Sequence, residues 1–495
     1  MTHANQYSAK AGLMHEEPLV FEHAHEKATS INLPGVTGDM PASLAAFSRK
    51  KAANIPGLSE PETVRHFVRL SQWNHSIETG FYPLGSCTMK YNPRVNENIA
   101  RLPGFAHVHP YQPEDSVQGL LESLYEVQGW LGEITGFPHV TLQPAAGAHG
   151  EWTGLMMIRA ALQAKGEGHR NKVLVPDSAH GTNPASASLC GMETIELPSL
   201  PNGQLDLEAL KQHLDGNTAA LMLTNPNTAG AFESNIVEIC RLVHEAGGFV
   251  YGDGANLNAL VGKARPGDMG IDCLHINVHK TFSTPHGGGG PGGGPVAVCE
   301  ALAPFLPTPH IRACKHGYHL VQEHPQSIGS VLGSIGQVGV LIRAAAYIAA
   351  FGRDHLHKIA EDAVLNANYM LARLKAHYHV PFPGLCKHEC LLTDEWQNRD
   401  GVKTLDIAKR LIDLGFHPMT VYFPLIVHGA MLIEPTETES KEMMDAFCDA
   451  MVEIAEQCKN GETELLHDAP LLPMRRRLDE TAAARKPTLV WHGEV

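Results

Sequence analysis

A chain of 495 residues with 43% apolar and 18% charged side chains has the profile of a globular protein, long enough for two or three ordinary domains. Its formal net charge of −15 argues against nucleic acid as a partner, and the one compact basic cluster, Arg475 to Arg477, reads as a solvated or salt-bridging face. The first 30 residues carry Glu16, Glu17, Glu22 and Glu26 and no apolar run, which speaks against a secretory signal.

In chain order, residues 1 to 114 read as a polar N-terminal arm followed by irregular loops. The arm is broken at Pro34-Gly35 and Pro56-Gly57, and residues 80 to 113 are rich in Pro, Gly, Tyr and His. Residues 115 to 336 read as the large domain. Val117 to Thr135 has helical apolar spacing. Short apolar runs then alternate with helical stretches: Lys172 to Pro176, Thr194 to Leu197, Ala219 to Thr224, Gly248 to Tyr251, Cys273 to Val278 and Pro295 to Cys299, with helices over Asp206 to Leu214 and Ser234 to Ala246. Such alternation predicts a mostly parallel sheet. The last two runs are too close for a helical crossover and are expected to pair antiparallel. Residues 337 to 460 read as an Ala-rich linking helix and a smaller α+β domain, with helices over Thr404 to Leu414 and Glu439 to Gln457. The tail from 461 to 495, with Pro470, Pro473 and Pro487, reads as extended. Val338 to Phe351 is the longest apolar helix-like stretch. It is interrupted by Arg343 and shorter than the ~20 residues that span a bilayer. The ten cysteines form no CxxC pair and read as reduced thiols of a cytosolic protein. Cys386 and Cys390 bracket Lys387-His388-Glu389, but no second ligand pair follows to make a metal clip.

Five polar segments stand where strands end, which is where ligands bind in an open α/β sheet. Gln143 to Glu151 is a small-residue turn ahead of a helix, a place for a phosphate, although many helices open this way. Asp177 to Pro184 offers His180, which could stack on an aromatic ring or simply be structural. Thr224 to Thr228 contains a turn-forming Asn-Pro. Gly248 to Ala255 ends with Asp253 followed by small residues; a carboxylate there can pair with a cationic ring nitrogen, and elsewhere serves magnesium or ribose. Asn277 to Gly294 places Lys280 after a strand and before seven glycines interrupted by one proline. A lysine in a strand-end crevice has its pKa lowered by burial and its amine made nucleophilic. No Gly-Lys-Ser/Thr follows the glycines, so a Walker-type loop fits poorly. Taken in order, the turn, the His, the strand-end Asp and the post-strand Lys are what a pyridoxal phosphate (PLP) site needs. The lysine carries the cofactor as a Schiff base, the Asp keeps the pyridine nitrogen protonated, and the turn with His279 can hold the phosphate.

Three segments closely resemble the P-protein family of the glycine cleavage system: Tyr82 to Pro93, Ser178 to Ala187 and His279 to Gly292. Met431 to Glu437 is similar to its C-terminal domain. The resemblance runs from about residue 60 to the end, and the length matches the PLP-bearing subunit of the two-subunit form. It implies an α/β enzyme of PLP fold type I, with a large mostly parallel seven-stranded sheet and a smaller C-terminal α+β domain. It further implies Lys280 as the Schiff-base lysine, Asp253 as the pyridinium partner, His180 as the ring-stacking group, Ala148 and His149 in the phosphate turn and His279 beside the phosphate. Thr228 and Ala255 fall in its cofactor-binding motifs; Ser86 and His286 lie in further family motifs without an assigned atom. At 147 to 149 this chain has Gly-Ala-His where the single-chain form has Gly-Ala-Gln, read as a trait of the two-subunit form. The implied activity is glycine decarboxylation with transfer of the aminomethyl group to the lipoyl arm of the H-protein. The implied partners are the H-protein and a companion subunit lacking the lysine, in a cytoplasmic hetero-oligomer of two subunit types.

From the residues alone two rivals stay open. One is another PLP enzyme on the same fold, such as an aminotransferase or a cysteine desulfurase. The other is a silent PLP-binding scaffold, against which the intact Lys280 and Asp253 speak.

Overall fold

The computed structural model describes residues 17–22, 38, 41–51, 53, 55–287, 292–473 and 475–490. Much of the expected arm, including Pro34-Gly35, and the centre of the glycine run, Gly288 to Pro291, lie outside the described residues.

The helix Gln118–Thr135 buries Leu120, Leu121, Leu124, Val127 and Leu131, the three-and-four spacing of one helical face. It stops at Gly136, whose φ of 82° is left-handed. Beyond it the chain builds seven strands: β1 His139–Thr141, β2 Lys172–Pro176, β3 Glu193–Leu197, β4 Thr218–Thr224, β5 Phe249–Gly254, β6 Cys273–Ile276 and β7 Val296–Val298. Their order across the sheet is β1-β7-β6-β5-β4-β2-β3. All neighbours run parallel except β7, which is antiparallel to both β6 and β1, as expected from the short link after β6.

Two cores follow from the two-residue period of the strands. Leu174, Leu221, Leu223, Val250, Leu274 and Ile276 point to the face covered by Gln118–Thr135 and by Ile236–Glu245. Val173, Val175, Ala220, Met222, Phe249, Tyr251 and Cys273 point to the other, packed on the helix Gly147–Ala164. A sheet buried on both faces is why its strands read as unbroken apolar runs.

After the sheet comes a hairpin, β8 His310–Cys314 with β9 Gly317–Val321. The linking helix Val338–His355 kinks at Gly352 (φ 63°), and His357–Leu374 follows. A second sheet contains β10 Cys390–Thr393, β11 Thr420–Val421 and β12 Ala430–Ile433, antiparallel in the order β10-β12-β11. The helices Thr404–Asp413 and Lys441–Lys459 share a third core with it.

Several local expectations need correction. β1 has only three residues, too short to show a period, and went unread. The run Cys273 to Val278 stops as a strand at Ile276; Val278–Thr281 is a single helical turn carrying Lys280. Residues 80 to 113 are not all loop, since Arg94–Ala100 and Pro103–Ala106 are helical. The first of these explains Arg343 in the apolar linking helix: its guanidinium forks onto Glu97, with Nε to Oε1 at 2.6 Å and Nη2 to Oε2 at 2.9 Å. The tail contains the helices Thr463–Asp468 and Glu480–Arg485 rather than running extended throughout. Within the basic cluster Arg477 pairs with Asp406 at 2.7 Å. All ten cysteines are free, and among the described residues Cys386 and Cys390 join no cluster of ligating side chains. No helix among the described residues is long and apolar enough to cross a membrane.

Candidate active site

Polar groups beyond the carboxyl ends of β2 and β6 meet the segment around Ser86. Lys280, on its turn just past β6, donates from Nζ to the Ser86 carbonyl at 3.0 Å. The Ser86 hydroxyl lies 2.6 Å from His180 Nε2. One face of the His180 ring stacks on Phe423 of the small domain, with centroids 4.9 Å apart and planes at 22°. Burial lowers the His180 pKa, with the Lys280 charge adding to it and the Asp253 carboxylate pulling the other way. Ser86, expected only as a member of a motif, therefore joins the predicted lysine to the predicted stacking group.

Asp253 is fully buried near the end of β5. Its Oδ1 accepts the Ala255 N–H at 2.9 Å and lies 3.4 Å from His275 Nε2. Asp253 and His275 are register partners on β5 and β6, so their side chains leave the sheet on the same face. His275 Nδ1 in turn lies 2.6 Å from the Tyr251 hydroxyl. Burial opposes ionisation of Asp253. The charges of His275, His180 and Lys280 and the Ala255 N–H outweigh it and hold the carboxyl below its usual range. Ala255 thus serves the carboxylate through its backbone. Thr228 donates its hydroxyl to the Ser178 carbonyl at 2.5 Å, which fixes the loop bearing His180.

The expected phosphate turn opens the helix Gly147–Ala164. Ala146, its N-cap, is extended and supplies no capping side chain, so the first N–H groups, at Gly147, Ala148 and His149, have no partner within the helix. A Cβ on Gly147 would collide with the Asn277 side chain, three residues before Lys280, so the turn and the lysine are close neighbours. His149 Nδ1 accepts the Ala145 N–H at 3.1 Å. His279 Nδ1 accepts the Gly293 N–H at 3.4 Å. Burial pushes the His279 pKa down to about 3, with Lys280 and His286 adding to it. His286 lies 3.2 Å from Cys87 Sγ; among the described residues its buried Nδ1 finds no partner, and neither do the buried Thr281 and Thr284 hydroxyls. Uncapped N–H groups and orphaned buried donors beside an amine fit a phosphorylated cofactor.

Reading the sequence missed several groups. Glu151 sits in the quoted turn, where only the backbone drew notice. Its carboxylate accepts from Thr182 Oγ1 at 3.0 Å and Ser186 Oγ at 3.4 Å and shares a buried cluster with Asp253 and His275. Burial first, then the Asp253 charge, raises its pKa to about 8. His275 carried a signal, a lone polar side chain in a buried strand. Because Glu151 is raised from 4.5 to about 8, the folded chain binds more protons than the unfolded chain between those values. Its contribution to stability is then full below about pH 4.5 and lost as pH rises through about 8. Glu151→Gln should remove that loss. In urea titrations of the cofactor-free chain it is expected to gain about 1–3 kcal/mol over the parent near pH 8 and far less near pH 5. An equal difference at both pH values would count against a raised Glu151.

Comparison with known proteins bears on this geometry. The family described as "Glycine cleavage system P-protein" matches residues 36–414, and "Glycine dehydrogenase, C-terminal domain" matches residues 359–471. A relative from Caulobacter vibrioides, "Probable glycine dehydrogenase (decarboxylating) subunit 2", is 54% identical over 486 residues, covering 97% of this chain and 93% of its own length. A Bacillus cytotoxicus protein of the same description is 54% identical over 478 residues, covering 96% and 97%. Among solved structures, glycine decarboxylase (P-protein) of the glycine cleavage system, in inhibitor-bound form, superposes with a TM-score of 0.70 at 22% identity, over 84% of this chain and 93% of that one. A cysteine desulfurase from Thermococcus onnurineus gives 0.57 at 16% identity, over 75% and 93%. The architecture is PLP fold type I. It is shared with the desulfurase, so the fold alone does not separate the two activities; the sequence relatives do.

Proposed function

The chain belongs to the glycine cleavage system P-protein family, and from that premise we propose that it is the PLP-carrying subunit, decarboxylating glycine and passing the aminomethyl group to a lipoyl disulfide. The observation that carries the reading is the convergence of Lys280 and His180 on Ser86, with Asp253 held ionised within the field of both.

Lys280 would hold the cofactor covalently, and His180 would lie against its ring. The N–H groups at Ala148 and His149, with His279, would hold its phosphate. When bound, PLP supplies an electron sink for the pair left behind as the carboxylate departs. Asp253 would keep a proton on the ring nitrogen, and the His275–Tyr251 pair would hold Asp253 in place. Lys90, buried behind the Lys280 turn, is not free to neutralise a substrate carboxylate. Its ammonium is engaged by Glu437 and the Thr281 carbonyl, both at 2.7 Å, and by the Tyr347 hydroxyl at 3.3 Å. The cavity lined by His75, Tyr82, Thr88, His279, Thr284 and His286, with a volume of about 290 Å³, lies between the Ser86 segment and the Lys280 turn and offers a way in for the lipoyl arm.

The reading includes a companion subunit, in line with the "subunit 2" of the relatives, a lipoylated H-protein and a cytoplasmic location, which ten free thiols suit. Reconstituted with PLP, the companion subunit and lipoylated carrier, the chain is expected to exchange labelled bicarbonate into the glycine carboxyl. A reconstituted assembly that binds PLP yet shows no exchange would refute the proposed activity.

A further inference from the structure

The segment from Pro83 to Thr88 precedes the large domain in sequence but is stitched to the small-domain sheet. Leu84 forms an antiparallel bridge with Ile433. Gly85 N–H donates to the Leu432 carbonyl at 3.2 Å, Glu434 N–H to the Pro83 carbonyl at 3.3 Å, and Thr420 Oγ1 to the Gly85 carbonyl at 2.6 Å. The approach is so close that a Cβ on Gly85 would stand 2.6 Å from the Leu432 carbonyl oxygen. At the next residue the chain turns with a φ of +66°, a left-handed conformation that serine seldom adopts.

That turn aims three polar groups of one residue in different directions. The Ser86 carbonyl meets Lys280 and its hydroxyl meets His180. Its N–H donates to the buried Glu389 Oε2 at 2.7 Å. Two residues on, the Thr88 hydroxyl donates to Glu434 Oε1. Glu389 and Glu434 continue the β10–β12 pairing by one step beyond Cys390 and Ile433, and both are fully buried. The other oxygen of Glu389 lies 3.5 Å from the Asn256 amide. No step of the proposed reaction uses either carboxyl.

We infer that Glu389, with Glu434 beside it, is a positioning residue: it locks Ser86 in the left-handed turn that presents its carbonyl to Lys280 and its hydroxyl to His180. The inference rests on the PLP reading of Lys280. A left-handed serine persists only where surrounding contacts over-determine it, and here they are the Gly85 main-chain bonds on one side and the Glu389 acceptor on the other. Burial, with Glu434 adding to it and the Ser86 N–H and the Lys280 charge opposing it, raises the Glu389 pKa well above the carboxylate range and so favours a neutral carboxyl opposite the Ser86 N–H. A neutral acceptor can be replaced by an amide. Glu389→Gln should therefore preserve the turn, while Glu389→Leu, of similar bulk without an acceptor, should release it.

The test uses the full chain with its companion subunit and PLP, and reads the pH titration of the visible band of the Lys280-bound cofactor. A carbonyl beside a protonated nitrogen favours the protonated form. Releasing the turn should thus move the midpoint of Glu389→Leu down by about one pH unit, while Glu389→Gln should stay with the parent. Ile407→Ala, a truncation in the small-domain core, supplies a destabilised control expected to leave the midpoint unmoved. A Glu389→Leu midpoint equal to the parent's overturns the inference, and so does a Glu389→Gln shift as large as that of Glu389→Leu. Should Glu389→Leu fail to fold, Gly85→Ala displaces the same segment from Leu432; an unmoved midpoint in folded Gly85→Ala overturns it equally. A parent chain that binds PLP without any lysine-dependent band refutes the PLP reading instead, so the two failures are distinct.

Discussion

Lys280→Ala is expected to fold like the parent, to lose the visible band of the covalently held cofactor, and to lose decarboxylation by on the order of 10³-fold or more. Lys280 lies on a single helical turn at the edge of the crevice and is only partly buried. Its amine makes a bond to the Ser86 carbonyl, so truncation removes that bond and an alkyl stem at the crevice edge rather than a core side chain. The phosphate turn, His180 and Asp253 would stay in place and could still hold PLP without a covalent bond. Spectral titration with PLP separates loss of the covalent bond from loss of binding. A variant retaining both the band and full turnover would remove the lysine from the mechanism. The same variant in a reconstituted assembly also tests the silent-scaffold alternative, since a scaffold would not notice the loss.

Asp253→Asn should leave PLP binding nearly intact and slow glycine decarboxylation by about 10²–10³-fold, the usual effect of removing one preorganised electrostatic partner of the reacting centre. The substitution keeps the shape and the oxygen that accepts the Ala255 N–H. It removes the negative charge that Lys280, His180 and His275 sustain against burial. Without that charge a ring nitrogen facing residue 253 loses its reason to stay protonated, and the sink for the departing electron pair weakens. Single-turnover release of CO2 from labelled glycine, with the cofactor saturating, measures the effect directly. A rate equal to the parent's would mean that another group protonates the ring.

The parts of the site legible in the sequence are those fixed by local order. Lys280 and Asp253 could be read because each ends an apolar run, and a strand end in a parallel sheet is a place in space as well as in sequence. The phosphate turn could be read because small residues ahead of a helix have a backbone meaning. What escaped depends on contacts between distant segments. Nothing near Glu389 signals that it meets Ser86, 303 positions away. Phe423 likewise shows no local reason to lie on His180. Glu151 lay in plain view, yet its raised pKa comes from burial and from a carboxylate on another strand. The strand β1 was too short to show alternation, and the prolines of the tail masked two helices of six residues each.

The antiparallel strand β7 has a consequence for how this site can vary. It lies between β1, which leads into the phosphate turn, and β6, which leads into the lysine turn. The returning chain is pinned on both sides by main-chain bonds, Gly294 N–H to the Pro144 carbonyl and Ile276 N–H to the Pro295 carbonyl, each at 2.8 Å. A Cβ on Gly294 would strike the Ala146 carbonyl. The lysine turn and the phosphate turn are therefore held at a spacing fixed by main-chain bonds through β7, with the Asn277 side chain packed between them against Gly147. Point substitutions can change what lines the gap, Asn277 among it, while the spacing itself follows from strand pairing, so a cofactor analogue with a longer or shorter phosphate arm should be held poorly by this scaffold.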